Sequence, residues 1–236
     1  MTDSTTTAKP RPRLFPGRFL LLSSTLFVVL AIYPFWNRSA LGIASFDLLF
    51  WGLILVSTHS LGRARWGLSI SIALAVPAFI SDIAVYVFPT KGVLLGSCLL
   101  DLLFLTFVTG AVIHHVVSRE QVDLDKILGA LCGYLLLGLS WALIYGALEL
   151  AQPGSFLLPQ PLDEAVEVPH WGDLDHFVYY SLVTLSTLGY GDIVALTRAA
   201  RAWSALEALI GQLYLAILLA RLIGLQIIQS RRERRA

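Results

Sequence analysis

Charged residues are scarce in this sequence of 236 amino acids. Only 14% of the residues are Asp, Glu, Lys or Arg, against about 25% in an ordinary soluble domain. Hydrophobic residues make up 56%, and the mean hydropathy is +0.73. A chain of this size cannot bury so much apolar surface in one water-soluble core. The composition excludes a soluble enzyme and predicts an integral membrane protein surrounded by lipid.

Cysteine and net charge are low as well. The two cysteines, Cys98 and Cys132, lie in apolar runs, so no disulfide framework is expected. A formal net charge of +1 provides no overall basic field that would attract nucleic acid. We therefore expect no nucleic-acid partner, no cofactor and no enzymatic activity.

Six apolar runs approach or exceed the length needed to cross a bilayer core of about 30 Å. The first follows basic residues, as a signal peptide would, but it is longer than the usual ~7–15 apolar residues. The third contains Pro77, which predicts a kink. The predicted fold class is thus an all-α membrane protein with six transmembrane helices. The runs occupy residues 19–36, 46–61, 66–88, 92–117, 127–150 and 199–228.

The Lys and Arg residues outside these runs are distributed unevenly. Six spans place both termini on one side of the membrane, and that side has twelve basic residues whereas the other has four. Cytoplasmic loops carry the excess of Lys and Arg. We therefore expect a multi-pass protein of the cell membrane with both termini in the cytoplasm.

The connection between the fifth and sixth runs, residues 151–198, is far longer than the others. Its second half, 176–185, is apolar again but too short to span, so a helix at about 174–185 is expected to be re-entrant and buried in protein. Its first half is an acidic turret that either raises the local cation concentration or is simply a solvated loop. The acidic residues are Asp163, Glu164, Glu167, Asp173 and Asp175.

Residues 184–192 follow this short helix and read T-L-S-T-L-G-Y-G-D. They resemble the selectivity filter of tetrameric potassium channels, T-x-T-T-V-G-Y-G-D, with Ser186 and Leu188 as departures. The resemblance implies passive conduction of K⁺ by a homotetramer around a central pore. It also implies that the filter, 187–192, binds K⁺ through main-chain oxygens. The implied carbonyl ligands are Thr187 (also through its hydroxyl), Leu188, Gly189 and Tyr190.

The residue types of the filter suit this chemistry. Consecutive carbonyl oxygens can face one axis only if the backbone alternates between right-handed and left-handed conformations. Residues with a side chain resist the left-handed conformation. Gly189 and Gly191 stand where that freedom is needed. We expect Tyr190 to pack behind the filter and Asp192 to lie at its outer mouth.

Five further residues are predicted to support the filter. Thr184 and Ser186 belong to the motif itself. Tyr179 and Tyr180 resemble an aromatic pair that braces the filter in related channels, with ordinary aromatic packing as the alternative. Glu207 is expected to form hydrogen bonds behind the filter, because a carboxyl group inside a membrane needs a partner.

Two positions near the filter depart from related channels, and one basic residue lies within the sixth run. Val183 replaces a glutamate that holds the outer aspartate in some potassium channels, so Asp192 lacks this partner. Ala195 replaces a proline that often follows the filter. Arg221 is expected to reach the inner headgroups.

The sixth run also contains candidate gating residues. Gly211 lies 22 residues after Gly189, near the place where related channels bend. It is a candidate hinge, and close helix packing is the alternative. Gln212 is a candidate for the cavity wall and Ile223 for a hydrophobic gate.

The first four runs, residues 19–117, resemble the sensor region of six-helix potassium channels. No Lys or Arg lies between Lys91 and Arg119, so weak or no voltage dependence is expected. His114 and His115 could titrate near neutrality, although an interfacial, solvated role is the alternative.

Two acidic residues stand out in this region. Asp82 and Asp101 lie within apolar runs, where ionisable residues are costly. One interpretation is a sensor for protons or cations. The other is a structural pair that is hydrogen-bonded to hydroxyls such as Ser81 or Ser97.

Three functions other than a potassium-selective channel stay open. A poorly selective cation channel is disfavoured by the intact Gly-Tyr-Gly sequence. A transporter is disfavoured because no second copy of 174–192 occurs, and a non-conducting membrane subunit is the third alternative.

The sequence also predicts five parts of the chain, which are a cytoplasmic tail (1–18), a four-helix region (19–117), a linker (118–126), a pore domain (127–228) and a basic tail (229–236).

Overall fold

The computed structural model describes residues 18–32, 65–88, 90–118, 124–158 and 175–233. The predicted second span and most of the turret lie outside these ranges. Two short strands, β1 (Phe156–Leu157) and β2 (Val194–Ala195), pair antiparallel. The helices are α1 (Arg18–Ile32), α2 (Arg65–Val87), α3 (Lys91–Ser118), α4 (Leu124–Ala151), α5 (Asp175–Leu185) and α6 (Arg198–Glu233).

Four of the described helices, α2, α3, α4 and α6, are long and apolar enough to cross a membrane. The apolar part of α1, Phe19–Ala31, extends only about 20 Å at 1.5 Å per residue. Helix α5 has 11 residues and is too short to span, as the sequence predicts. Helix α2 continues through Pro77. The described helices agree with a membrane protein, whereas the six-span layout stays a prediction.

Helix α4 lies at the centre of the fold, in contact with α1, α3, α5 and α6, while α2 packs on α3. Two glycines of α4 permit close approach, as small residues do between membrane helices. A Cβ atom at Gly138 would lie 3.1 Å from Leu182 of α5, and one at Gly133 would lie 2.8 Å from the Tyr214 hydroxyl of α6. Helix α4 therefore supports both of the helices that follow it.

A tight turn after α4 leads into the β1–β2 pair, which was not predicted from the sequence. The Glu149 carboxylate accepts the backbone N–H groups of Gly154 at 2.6 Å and Phe156 at 3.1 Å. Phe156 then pairs with Ala195, which follows shortly after the filter motif. The pair therefore holds residues 187–192 between α5 and β2.

Candidate functional site

The last turn of α5 binds the segment that follows it. Backbone N–H groups of residues 186–189 donate to carbonyl oxygens of residues 182–184 at 2.9–3.4 Å. In the described part of the chain, no group donates to the carbonyl oxygens of residues 187–190. Four consecutive carbonyl oxygens are therefore available to a ligand, and they are the groups here that could hold a cation.

The backbone of this segment alternates in hand. Thr187, Gly189 and Gly191 have φ angles of 58°, 59° and 79°, whereas Leu188 and Tyr190 between them do not have positive φ. Such alternation turns successive carbonyl groups to the same side. The two glycines stand at positions that require their freedom, while the left-handed conformation of Thr187 was not foreseen.

Thr187 is held in this conformation from two sides. Its N–H donates to the Thr184 carbonyl at 2.9 Å, and its Oγ1 accepts a hydrogen bond from Gln212 Nε2 at 3.0 Å. A residue with a side chain in the left-handed region costs about 1–3 kcal/mol unless its surroundings fix it. Gln212, predicted to line a cavity, thus lies beside the N-terminal residue of the segment and bonds to it.

The side chains that follow Thr187 in the segment are exposed in a single chain. Tyr190 is 67% exposed and Leu188 is 56% exposed. The Asp192 carboxylate accepts a hydrogen bond from the Tyr179 hydroxyl at 2.8 Å. Tyr179 is therefore a hydrogen-bond partner of Asp192.

Tyr180 connects α5 with its neighbours. Its hydroxyl and that of Ser204 in α6 are hydrogen-bonded at 2.7 Å. Its ring packs edge-on against Tyr145 of α4 and Phe156 of β1, with centroids 5.1 and 5.4 Å apart. These contacts show the aromatic packing of Tyr180, and its role in bracing the filter stays a prediction.

Glu207 lies completely buried where α4, α5 and α6 meet. Its Oε2 is 2.5 Å from the Tyr145 hydroxyl, and its Oε1 is 2.5 Å from Ser181 Oγ. Hydrogen bonds were predicted for Glu207 from the sequence, but neither partner was identified. The spacing of Tyr134, Gly138 and Tyr145, which places them on one face of α4, is the signal that could have found this surface.

Gly211 lies against the end of α5. A Cβ atom there would lie 2.5 Å from the Leu185 carbonyl oxygen, which also accepts a hydrogen bond from the Tyr134 hydroxyl at 3.1 Å. Close packing by itself therefore requires a glycine at this position. Helix α6 is unbroken here, and the hinge stays a prediction.

Among the described residues, the second half of α6 makes fewer side-chain hydrogen bonds to other elements than the first half. Arg221, expected to reach lipid headgroups, donates to the Val117 carbonyl near the end of α3. The last carbonyl groups of a helix lack intrahelical partners, so this contact caps α3. Ile223, the candidate gate residue, is 56% exposed.

The two acidic residues of α2 and α3 are buried. Ser97 Oγ donates to Asp82, in agreement with the hydroxyl contact expected for a structural role. Ser81 instead donates to the Ala78 carbonyl at 2.7 Å. A sensing role for Asp82 and Asp101 stays a prediction.

Residues 133–225 match the family model of ion channels. No curated protein and no solved structure matches the chain. The matched range extends from α4 into α6 and includes residues 186–192, so the match and the site concern the same part of the molecule. Together with the apolar helices, the match supports an ion channel function and a location in a membrane.

Proposed function

We propose that the chain is the subunit of a potassium-selective channel, in which residues 187–192 of four copies line the conduction path. The observation that carries the proposal is the alternating backbone of Thr187, Gly189 and Gly191, combined with the free carbonyl oxygens of residues 187–190. K⁺ loses its hydration shell only where other oxygens replace the water, and rings of backbone carbonyls do so in known filters. The Thr187 hydroxyl adds an oxygen at the inner end.

The orientation of α5 favours a cation. The C-terminal end of a helix carries a partial negative charge, and α5 ends at Leu185, directly before the filter. The acidic Asp192 carboxylate lies at the other end of the filter. Both features lower the energy of a positive ion in the path.

The number of four copies comes from the resemblance to potassium-channel filters, and the surface that one chain leaves open supports assembly. One chain supplies one wall of a carbonyl ring, and its Leu188 and Tyr190 side chains are exposed. Helix α6 exposes Leu209, Leu213 and Ile217, at 63%, 58% and 64%. Neighbouring copies, lipid and the water of the pore would together surround these surfaces.

The proposed channel also has a defined orientation in the membrane and a defined response to voltage. Six spans with cytoplasmic termini place the filter toward the outer side of the cell membrane. Because no Lys or Arg lies between Lys91 and Arg119, the channel is weakly voltage-dependent or voltage-independent.

The test is cation flux through purified protein in liposomes, with K⁺ and Na⁺ gradients compared and the assembly measured by cross-linking. We expect a tetramer, K⁺ flux driven by its own gradient, and little Na⁺ flux. Equal K⁺ and Na⁺ fluxes would indicate a poorly selective cation channel. Flux that depends on a coupled ion would indicate a transporter, and the absence of flux would indicate a subunit without a pore.

A matched pair of variants tests the filter. Gly189→Asp should abolish K⁺ flux and leave assembly intact, because a residue with a side chain resists the left-handed backbone (φ 59°) that directs the carbonyl oxygens to the path. Gly154→Asp is the control: Gly154 also has positive φ (83°), and an added Cβ atom would meet no heavy atom within 4 Å, but the residue lies in the turn after α4. Selective flux that persists in Gly189→Asp would contradict the filter assignment.

A further inference from the structure

Ser181 Oγ and the two oxygen atoms beside it determine where hydrogen atoms lie behind the filter. Ser181 Oγ is 2.5 Å from Glu207 Oε1 and 2.7 Å from the Gly138 carbonyl oxygen. A serine hydroxyl has one hydrogen to donate, and a carbonyl oxygen can only accept. The hydrogen of Ser181 therefore goes to Gly138, since the two oxygens would otherwise face each other without a hydrogen between them.

The contact between Ser181 and Glu207 then needs a hydrogen from Glu207. The other carboxyl oxygen is already supplied, because the Tyr145 hydroxyl donates to Oε2 at 2.5 Å. Every contact is satisfied if Tyr145 donates to Glu207, Glu207 donates to Ser181, and Ser181 donates to Gly138. This arrangement requires one proton on the Glu207 carboxyl group.

The surroundings of Glu207 favour the neutral form. Glu207, Ser181 and Tyr145 are completely buried. Within the described ranges, no Lys, Arg or His pairs with Glu207, and the titratable groups that face it are the phenols Tyr134 and Tyr145 of α4, with Tyr180 of α5 beside Tyr145. An ionised carboxylate without a cation is costly in such a place, whereas a neutral acid needs only hydrogen bonds.

Glu149 provides the contrast within the same chain. It accepts hydrogen bonds from two backbone N–H groups, of Gly154 and Phe156, and each donor brings its own hydrogen. The contacts of Glu149 are complete without an added proton. Glu149, near the end of α4, and Glu207, inside α6, thus differ in whether their hydrogen-bond partners require a proton on the carboxyl group.

We propose that Glu207 is a neutral carboxylic acid and acts as a positioning residue whose proton links α6 to α5 and α4 behind the filter. Its donated hydrogen bond fixes Ser181, which directly precedes the three α5 residues whose carbonyl groups bind residues 186–189. The effect on conduction rests on the proposed function, whereas the protonation itself does not.

Infrared difference spectroscopy of the purified full-length protein tests the protonation directly. A protonated carboxyl group has a carbonyl stretch separate from carboxylate bands, and this band shifts in D₂O. We expect the wild-type protein to show such a band near neutral pH, its loss in Glu207→Gln, and its persistence in Glu149→Gln. A spectrum in which Glu207→Gln removes only carboxylate absorption would overturn the proposal.

The pH profile of conduction tests the positioning role. Glutamine is neutral, donates to Ser181 through its amide and accepts from Tyr145, so Glu207→Gln should conduct as the wild type does near neutral pH. At alkaline pH only the wild type can lose the proton, and we expect its flux and thermal stability to fall while Glu207→Gln keeps both. Identical flux profiles of the two proteins at alkaline pH would refute the positioning role. If neither protein conducts, the thermal-stability profiles and the infrared band still decide whether Glu207 is protonated.

Discussion

Helices α4 and α6 have nearly the same hydropathy but opposite surroundings. Their most apolar windows have mean hydropathies of 2.1 and 2.0. Helix α4 is covered by α1, α3, α5 and α6, whereas most apolar side chains of α6, such as Leu209 and Ile217, are exposed in a single chain. Helix α4 is therefore an internal support, and α6 has a surface that other copies of the chain, lipid or a pore must complete.

The contacts of α6 with its own chain are uneven along its length. Between residues 204 and 212, three side chains bond to α4, α5 or the filter. Beyond them, Tyr214 donates to the Ala130 carbonyl at 2.6 Å, and Arg221 donates to the Val117 carbonyl. The first half of α6 is thus fixed to the α4–α5 region, and variants there should have larger effects than variants in the second half.

The largest effect is expected from Gly211→Ala. Its Cβ would lie 2.5 Å from the backbone oxygen of Leu185, which cannot move as the end of a flexible side chain can. Such overpacking costs about 1–3 kcal/mol. Thermal unfolding in detergent should show the loss.

Gly224→Ala is the control, because a Cβ there meets no heavy atom within 4 Å and the residue lies in the same helix. The comparison also separates the two roles of Gly211. If Gly211→Ala is as stable as Gly224→Ala but opens less often, the hinge is correct and the packing explanation fails.

An intermediate effect is expected from Gln212→Leu, which keeps the size of the side chain but removes the hydrogen bond to Thr187 Oγ1. A hydrogen bond of this kind contributes about 0.5–1.5 kcal/mol. Since 1.4 kcal/mol corresponds to about tenfold in binding, the K⁺ to Na⁺ flux ratio should fall by up to about tenfold.

Gln226→Leu serves as the control for this variant. Gln226 is exposed in the second half of α6 and makes no side-chain hydrogen bond among the described residues. Unchanged selectivity in Gln212→Leu would show that Thr187 is held without Gln212.

The smallest effect is expected from Arg221→Leu. The variant removes the cap on the Val117 carbonyl, an exposed contact of a cation with a helix C-terminus that contributes about 0.3–1 kcal/mol. Single-channel recordings should show a modest change in open probability at unchanged ion selectivity. Arg221→Lys keeps the charge and a donor and should lie between the two proteins, whereas a change in selectivity would contradict the separation of the two halves.

Several elements could be predicted from the sequence because their signals are local. The lengths of the apolar runs predict α2, α3, α4 and α6 to within a few residues, and the short run before the filter predicts α5 ending at Leu185. The two glycines of the filter were placed by the requirement for a left-handed backbone. The β1–β2 pair was missed, since strands of two residues carry no periodic signal.

Contacts between distant residues could not be predicted in this way. Glu207 meets Tyr145 and Ser181, which are 62 and 26 residues away, only because α4, α5 and α6 pack at particular angles and rotations. The left-handed Thr187 depends in the same way on Gln212, which lies 25 residues away. Sequence spacing gives the face of one helix but not its rotation against another.

The sequence by itself determined that this protein is a membrane protein, where its described helices lie and which short segment can present backbone oxygens to an ion. These properties follow from composition, run length and the freedom of glycine, which are independent of the rest of the chain. The tertiary structure decided which apolar helix is internal, which partners the buried Glu207 has, and that Gly211 must remain small. The physical reason is that hydropathy measures transfer from water, whereas burial and hydrogen bonding depend on which atoms of other helices come within contact distance.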